Sequence, residues 1–303
     1  MDKSIYEYIS ESVVDGRLPE GFSLPRQEGE KGVALADGAL EGIMLYHRAP
    51  GHELTDDQTA LIGSMIEQVS DGEFYDAEES LWRVADDIGA LDARDTVRDY
   101  IVNNQAELNL GNVFDFALTM AVRSPSRKVV KLALVMLEVF DPDDQVKGFI
   151  RTLGLSDDFT LFAAMAMGAW EDTNDEWYDL ARKVRGWGRI HLVRFLRPET
   201  EAIRRWLLRE GVHNDVMPQY SALDCWRKAD VPAALRGTLT REDFEGIRDI
   251  IDALLDEGPV PGISGVEDAE EHLRAFLKHA GTMARDDRDD EVVAAVKEYL
   301  KEN

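Results

Sequence analysis

Apolar residues recur three and four positions apart along most of this chain, the spacing that places side chains on one face of an α-helix. In the stretch that follows Thr55, the apolar positions Leu61, Met65 and Val69 obey this rule. Thr55 and Gln58 also form a capping-box pattern, in which each side chain satisfies a backbone N–H at the start of a helix. Beyond the first 54 residues, no stretch alternates clearly between strand-forming apolar residues and polar ones. The pattern therefore predicts an all-α protein of roughly a dozen helices.

Two of the predicted helices are apolar over more than half of their circumference. They cover residues 126–140 and 157–170, and a helix of this kind is buried between neighbours on both sides. Between them, Asp141 and Pro142 are expected to start another helix, because proline is tolerated in a first turn. Short links that contain Gly or Pro separate the remaining helices, which predicts stacked antiparallel helical hairpins.

The first 54 residues differ in composition from the rest of the chain. Residues 16–51 are rich in Gly and also contain Pro19, Pro25 and Pro50, and this combination breaks helices and favours turns. A short apolar run at 39–46 fits either a strand or a buried helical turn. We therefore predict an irregular N-terminal segment, 1–54, that packs on an α-helical repeat-like domain, 55–303.

Two short segments with matching apolar positions indicate an internal repeat of helices. Residues 116–121 and 162–167 lie 46 positions apart and match at five apolar positions, a spacing at the long end of two-helix repeats. Residues 126–133 and 144–147 look like the starts of inner repeat helices. On these residues, the stretch 92–211 resembles the armadillo/HEAT class of α-helical repeat proteins. The resemblance implies an α-solenoid whose concave surface binds an extended protein or peptide, and it implies no chemistry.

The charge and cysteine content exclude several classes of partner and site. A net charge of −26 argues against nucleic acid and against an anionic membrane as partners. Cys225 is the only cysteine, so the chain forms no internal disulfide and no cysteine-built metal site. The longest nearly apolar run, 161–170, has ten residues and the N-terminus shows no apolar signal region, so we expect a cytoplasmic protein.

One stretch of the chain has the opposite charge from the remainder. Residues 182–210, called here the basic island, contain nine Arg and Lys against three Glu, a charge of +6 where the remainder sums to −32. Such a cluster either pairs internally with the surrounding carboxylates or faces a partner. Arginine binds carboxylate and phosphate bidentately, which favours an anion or peptide groove as the functional interpretation. The candidate groove residues are Arg182, Arg185, Trp187, Arg189, His191, Arg194, Arg204, Arg205 and Arg209.

Within the basic island, three arginines follow helical spacing. Arg182, Arg185 and Arg189 share a face if one continuous helix carries them, although glycines at 186 and 188 weaken that continuity. Trp187 and Trp206 are expected to stack on a guanidinium or on a ligand ring. The imidazole of His191 is expected to titrate near neutral pH.

The remaining chemistry-bearing residues give weaker signals. His47 and His52 lie five apart in a loop beside an acid, but no helix fixes them, so we expect no metal site and no cofactor. His213 lies near Asp215 and fits a surface loop better than an acid–base pair. The aspartates at 141–144 fit a helix N-terminus, and those at 286–290 fit a solvated linker. Cys225, beside a tryptophan on a predicted helix, fits a buried core position.

These features together favour a non-catalytic binding scaffold over an enzyme. The expected partner is a protein or peptide that carries acidic or phosphorylated residues and contacts the basic island. One alternative is an enzyme that acts on a small anionic substrate in a pocket near His191. A second alternative is an inhibitor or immunity-type protein that uses its acidic surface to hold a basic partner. The sequence gives no oligomeric state.

Overall fold

The structure, a computed structural model, describes residues 3–25, 35–47 and 53–302, and over these ranges it is all-α. No β-strand occurs in them, and the one β-type contact is an isolated bridge between Val14 and Arg17. The all-α prediction is thus confirmed. The seventeen α-helices of the described ranges are α1 Ile5–Ser12, α2 Ala39–His47, α3 Asp56–Asp71, α4 Phe74–Asp87, α5 Ala90–Asn103, α6 Leu110–Arg123, α7 Arg127–Leu137, α8 Asp144–Gly154, α9 Asp157–Ala166, α10 Thr173–Ala181, α11 Trp187–Phe195, α12 Glu201–Arg209, α13 Gln219–Lys228, α14 Val231–Arg236, α15 Arg241–Leu255, α16 Ala269–Met283 and α17 Asp287–Glu302.

The helices divide between two compact units. Unit 1 is Met1–Val184 and contains α1 to α10, and unit 2 is Arg185–Asn303 and contains α11 to α17. Unit 1 has 16 Lys and Arg against 36 Asp and Glu, whereas unit 2 has 18 against 24. The net charges are therefore −20 and −6, so most of the acid excess belongs to unit 1. The division at residue 54 stays a prediction.

Consecutive helices of unit 1 pack against each other in pairs. The pairs are α3 with α4, α6 with α7 and α8 with α9, and α7 also contacts α4, α5 and α9. Because α7 has neighbours on several sides, eight of its eleven residues are buried, Val129, Val130 and the six from Leu132 to Leu137. The burial predicted for residues 126–140 is confirmed, and it follows from a helix that is apolar over most of its circumference.

Side-chain caps fix the first turns of several helices. Thr55 Oγ1 accepts the N–H of Gln58 at 3.2 Å, and Gln58 Oε1 accepts the N–H of Thr55 at 3.0 Å, so the predicted capping box is confirmed. The start predicted at Asp141 and Pro142 is wrong by two to three residues. There, the carboxylate of Asp143 accepts the N–H of Val146 at 3.0 Å, and α8 begins at the next residue. A side-chain acceptor for a free N–H selects the cap more strongly than proline does.

The described part of the N-terminal segment contains two helices rather than a strand. Residues 39–46, for which a strand and a helical turn were both open, belong to the helix α2. The helix α1 packs on α6 and α8, where the ring of Tyr6 meets that of Phe149 edge-on at 5.2 Å. His52 lies outside the described residues, so the loop pair of His47 and His52 has no structural account.

A buried cluster of charges joins α2 to the core of unit 1. Asp158 of α9 accepts the N–H of Gly38 at 3.1 Å and lies 2.9 Å from Arg127 Nη1. Lys131 Nζ lies 2.7 Å from Glu41 Oε1, and the two side chains are only 12% and 8% exposed. Arg127 Nη1 also lies 3.6 Å from Asp37. The N-terminal segment is therefore held by ionic and hydrogen-bonding contacts as well as by apolar packing.

The helix α15 forms the centre of unit 2. It packs on α12, α13 and α17, and its apolar face includes Phe244, whose ring stacks on Phe276 of α16 at 5.2 Å. At Gly246 the backbone of α12 approaches so closely that an added Cβ would lie 2.2 Å from the carbonyl oxygen of Leu208. Glycine at this position therefore allows α12 and α15 to touch through their backbones. Across the residues that the structure describes, no helix is long and apolar enough to cross a membrane.

Candidate functional site

A break in the chain divides the basic island. The helix α10 ends at Ala181 and α11 begins at Trp187, so no continuous helix carries Arg182, Arg185 and Arg189, and the condition for a shared face is not met. Gly186 takes a non-helical conformation (φ −87°, ψ −135°) at the N-cap of α11 and interrupts the helix there, whereas Gly188 lies inside α11. Arg182 belongs to unit 1, where it lies 3.3 Å from Asp179 and 5.0 Å above the ring of Tyr178. The other candidate residues belong to unit 2.

Trp187 and His191 are core residues of unit 2. Trp187 is 6% exposed, and its ring lies 4.8 Å from the ring of Tyr220 and 6.1 Å from that of His191. His191 is 2% exposed, and burial lowers its pKa to about 3, with a smaller contribution from the charge of Arg194. The prediction that His191 titrates near neutral pH is wrong, because the desolvated ring stays neutral. A reaction at His191 would require the ring to become accessible to a substrate.

Two arginines of the island pair with the loop that precedes α13. Arg185 Nε lies 3.3 Å from Asp215 Oδ2 at the surface. Arg189 Nη1 donates to the carbonyl oxygen of His213 at 2.6 Å, and its guanidinium lies 5.7 Å above the ring of Trp206. The stacking predicted for Trp206 is confirmed, and the ring that receives the guanidinium belongs to the same unit. Both arginines thus contribute to internal contacts.

The arginines of α12 differ in their pairing. Arg205 Nη2 donates to Glu201 at 3.0 Å one turn earlier, and Arg209 Nε donates to Asp243 of α15 at 2.7 Å. Arg204, by contrast, is exposed, and its side chain makes no hydrogen bond or ion pair with any residue in the described ranges. Arg194 is also exposed, on α11. The basic island therefore does not form one continuous patch. Of the arginines of α12, Arg204 is the one whose guanidinium remains available to a ligand.

Arg204 lines a groove of about 590 Å³ on the surface of unit 2, called here the basic groove. Its lining comes from α12, the end of α13, α14, the link 237–239 and the first turn of α15. Four cations contribute to the lining: Arg204, Arg205, Arg227 and Lys228. Its volume is in the range of ligand pockets in proteins. Two of the predicted candidates, Arg204 and Arg205, thus lie in one surface depression.

The acids of the basic groove are each held by another group. Glu201 binds Arg205, and Asp243 binds Arg209, which does not line the groove. Asp230 accepts the N–H of Ala233 at 3.1 Å and caps α14. Among the groups that line the groove, the guanidinium of Arg204 is left uncompensated, and Arg227 donates only to the carbonyl oxygen of Gly265 at 3.1 Å. The four cations and three acids of the lining leave a net charge of +1 in an otherwise acidic protein.

Lys228 has a structural role beside the groove. Its Nζ donates to the carbonyl oxygens of Val193 at 2.7 Å and of Arg194 at 2.6 Å, which lie in the last turn of α11. A cation at this place satisfies free carbonyls and favours the helix dipole. Burial lowers the pKa of Lys228, and Asp224 lies 3.7 Å from its Nζ, so its ammonium is already engaged within unit 2. Arg204 and Arg227 are consequently the better anion ligands of the four.

The floor of the basic groove is apolar. Leu208, Ala229, Ala233, Ala234 and Leu239 all line it, and Leu208, Ala229 and Leu239 are largely buried. A site with an apolar floor and cations on its rim suits a ligand that has both apolar and anionic groups.

Sequence reasoning missed Arg227 and Lys228 because they lie outside residues 182–210. A signal was nevertheless present, since Arg227 and Lys228 are adjacent basic residues in the last turn of α13, where basic residues complement the helix dipole. The sequence does not reveal that this helix end lies beside Arg204, because the contact depends on how α12 and α13 pack.

The other candidate residues have structural partners. His213 Nε2 lies 3.0 Å from Asp249 rather than beside Asp215, and the hydrogen bond raises its pKa. Cys225 is fully buried, as predicted, and burial raises the pKa of its thiol. Asp143 caps α8, as expected for the first aspartate cluster, but Asp289 of the second cluster is completely buried. The predicted linker is wrong, because residues 287–290 form the first turn of α17 and Asp289 is buried, whereas Asp286, Asp287 and Asp290 are exposed as predicted.

Comparison with known proteins adds no family to this description. No family model, no curated protein and no solved structure matches the chain. The function of the chain is therefore inferred from its own residues, and the basic groove is the feature from which that inference starts.

Proposed function

We propose that this protein is a non-catalytic binding scaffold that holds a segment of another protein, or a peptide, in the basic groove of unit 2. The observation that carries the proposal is the position of Arg204. Its guanidinium is exposed and has no partner in the described ranges, and it lies at the rim of an apolar-floored groove. Arginines elsewhere in the basic island mostly bind their own carboxylates or carbonyls, so Arg204 differs from its neighbours.

The ligand is expected to carry carboxylate or phosphoryl groups together with at least one apolar side chain. Charge-assisted hydrogen bonds from Arg204 and Arg227 would fix the anionic groups, and the floor around Leu208 and Ala233 would accept the apolar one. Each charge-assisted bond contributes roughly 1.5–3 kcal/mol. Carboxylate and phosphoryl groups share this chemistry, so both kinds of peptide belong in the test.

A helical-repeat framework of the armadillo/HEAT kind is the architecture that we propose for this scaffold. The pairwise packing of α3 with α4, α6 with α7 and α8 with α9 in unit 1 supports it, together with the contacts of α3 with α6 and of α4 with α7 between pairs. Such contacts between the same members of successive pairs are typical of stacked repeats. A cytoplasmic location also remains a proposal that follows from the sequence.

Fluorescence anisotropy with labelled peptides tests the proposal. Two probes are required: a fluorescein-labelled peptide that alternates Glu and Leu, and its counterpart with phosphoserine in place of Glu. We expect Arg204→Glu and Arg227→Glu to weaken binding of the preferred probe by more than tenfold each. The two substitutions change exposed side chains, so helix content measured by circular dichroism should stay at the wild-type level.

Lys297→Glu provides the matched control for this experiment. Lys297 is exposed on α17, in the same unit, and does not line the groove, so the substitution changes net charge equally. The proposal predicts that this variant binds within about twofold of wild type, since screening makes distant surface charges weak. Equal losses in Lys297→Glu and Arg204→Glu would show that general charge, and not the groove, attracts the probe. Failure of both probes to bind wild type would refute the anionic class of ligand.

A further inference from the structure

The helix α4 of unit 1 presents aromatic and acidic side chains on its outer face. Tyr75 is 84% exposed and Trp82 is 37% exposed, and Glu78 and Glu79 between them are also exposed. These four residues occupy positions i, i+3, i+4 and i+7, so they share one face of the helix. The rise per residue puts the two aromatic positions about 10 Å apart along the helix axis.

The face of α4 opposite to these residues packs on the core of unit 1. Ala77, Leu81 and Val84 are fully buried, where the helix packs on α3 and α7. Each aromatic side chain exposes apolar area to water that burial against a partner would remove, at about 25 cal/mol per Å². An exposed tyrosine and a partly exposed tryptophan on one helix face are typical of an interaction surface.

The charge around this face is strongly negative. Residues 53–107 contain 15 Asp and Glu against three Arg, a net charge of −12 in 55 residues. Glu78 and Glu79 form no ion pair with any residue of the described ranges, whereas Asp86, further along α4, binds Lys128 at 2.8 Å. Carboxylates that lack a cation of their own attract one from a partner.

We propose that the outer face of α4, formed by Tyr75, Glu78, Glu79 and Trp82, binds a Lys/Arg-rich segment of a partner protein. Basic side chains complement this face in two ways. Their cationic heads pair with the two glutamates, and the rings of Tyr75 and Trp82 attract cations through their π faces. Lysine and arginine stems also cover aromatic surface while their charges stay in water. An acidic segment or an anionic membrane would be repelled by the same field.

This surface differs from the basic groove in the sign of its charge, in the unit that carries it and in the ligand proposed for it. It lies in unit 1, whose net charge is −20, whereas the groove lies in unit 2. The scaffold would therefore take two partners of opposite charge, and neither proposal depends on the other.

The experiment measures, by fluorescence anisotropy at physiological salt, how tightly the full chain binds a fluorescein-labelled peptide that alternates Lys and Ala. The variant Tyr75→Ala/Trp82→Ala removes the rings and leaves the charge unchanged. The variant Glu78→Lys/Glu79→Lys reverses the charge and leaves the rings. We expect each to weaken binding by about tenfold or more, since two cation–π contacts or two ion pairs are lost. Circular dichroism checks that α4 remains helical.

Glu271→Lys/Glu298→Lys is the matched control, because it makes the same change in net charge at two exposed glutamates of unit 2. The proposal predicts that this control binds the basic peptide within about twofold of wild type. If the ring-free variant binds as tightly as wild type, the aromatic residues take no part and the proposal is overturned. An equal loss in the control and in Glu78→Lys/Glu79→Lys overturns it as well, since attraction would then be general.

Discussion

Arg248 Nη1 donates to Oδ1 of Asp289 at 2.7 Å, and the side chain of Asp289 is completely inaccessible to solvent. The same carboxylate accepts Arg241 Nη1 at 2.6 Å and the N–H of Arg285 at 2.8 Å. These contacts offset desolvation and hold the pKa of Asp289 well below its usual range. One buried carboxylate thereby joins the two arginines of α15 to the first turn of α17.

Asp289→Asn is predicted to destabilise unit 2 by about 3–5 kcal/mol, because it leaves two partly buried guanidinium groups without their shared carboxylate. Urea unfolding followed by circular dichroism measures the change, and the exposed Asp290→Asn should alter stability by less than about 0.5 kcal/mol. Since the folded pKa of Asp289 is depressed, its contribution is complete above pH 3.8 and disappears as the pH falls below that value. Equal stabilities of the two variants at pH 7 would contradict this role.

The contribution of Asp37 to the stability of unit 1 is predicted to have the opposite pH dependence. Burial, together with the nearby charge of Asp158, raises the pKa of Asp37 from 3.8 to about 6. The folded state therefore prefers the protonated carboxyl, so the contribution of Asp37 to stability is complete below pH 3.8 and is lost as the pH rises through about 6. Asp37→Asn should stabilise the region at pH 8 by roughly 2–3 kcal/mol, since one pKa unit corresponds to about 1.4 kcal/mol.

Hydrogen exchange of the α7 amides measures this effect of Asp37→Asn. The variant should exchange more slowly than wild type at pH 8, and the difference should shrink at pH 5, after correction for intrinsic rates. A variant that exchanges faster than wild type at both pH values would show that the Asp37 carboxylate stabilises the cluster through Arg127, against the prediction.

The pKa values of two histidines in unit 2 are shifted in opposite directions from the ordinary histidine value. Hydrogen bonds to Asp249, and less strongly to Glu210, raise the pKa of His213 above 6.5, whereas burial lowers that of His191 to about 3. Proton NMR from pH 5 to 8.5 should therefore show one imidazole with a midpoint above 6.5 and another that does not change. In Asp249→Asn the first midpoint should fall. A His191 signal that titrates near 6.5 would mean that its ring is accessible.

Substitution by alanine is predicted to change the stability of the protein in opposite directions at two helical glycines. An added Cβ at Gly246 would meet the backbone of α12 at 2.2 Å, while at Gly148 on α8 it would meet nothing within 4 Å. Gly246→Ala should cost at least about 1–3 kcal/mol through overpacking. Gly148→Ala should instead stabilise by about 0.5–1 kcal/mol through helix propensity. Thermal unfolding separates the two, and similar melting temperatures would contradict the close approach of α12 and α15.

Local signals in the sequence predict the helices well. The three-to-four spacing of apolar residues and the Thr55 capping box depend on neighbouring positions only, so both are visible without a structure. The predicted number of about a dozen helices was too low. Short helices such as α14, with six residues, bury too few apolar positions to show a period.

Contacts between distant helices were not predictable from the sequence. Asp289 resembles a solvated aspartate within an acidic run, and only the packing of α17 on α15 supplies it with Arg241 and Arg248. In the same way, the basic island looks like one patch because its charges are contiguous in sequence. The break between α10 and α11 and the internal partners of most arginines disperse it, and Arg227 enters the groove from another helix.

Hydrogen–deuterium exchange of the full chain, with and without a saturating acidic Glu/Leu peptide, tests the central proposal most directly, because it reports where the ligand binds. The proposal predicts slower exchange in α12, at the end of α13 and in α14, and unchanged exchange in the rest of the chain. In Arg204→Glu that protection should disappear. Protection confined to other helices, or equal protection in wild type and Arg204→Glu, would contradict the assignment of the basic groove as the binding site.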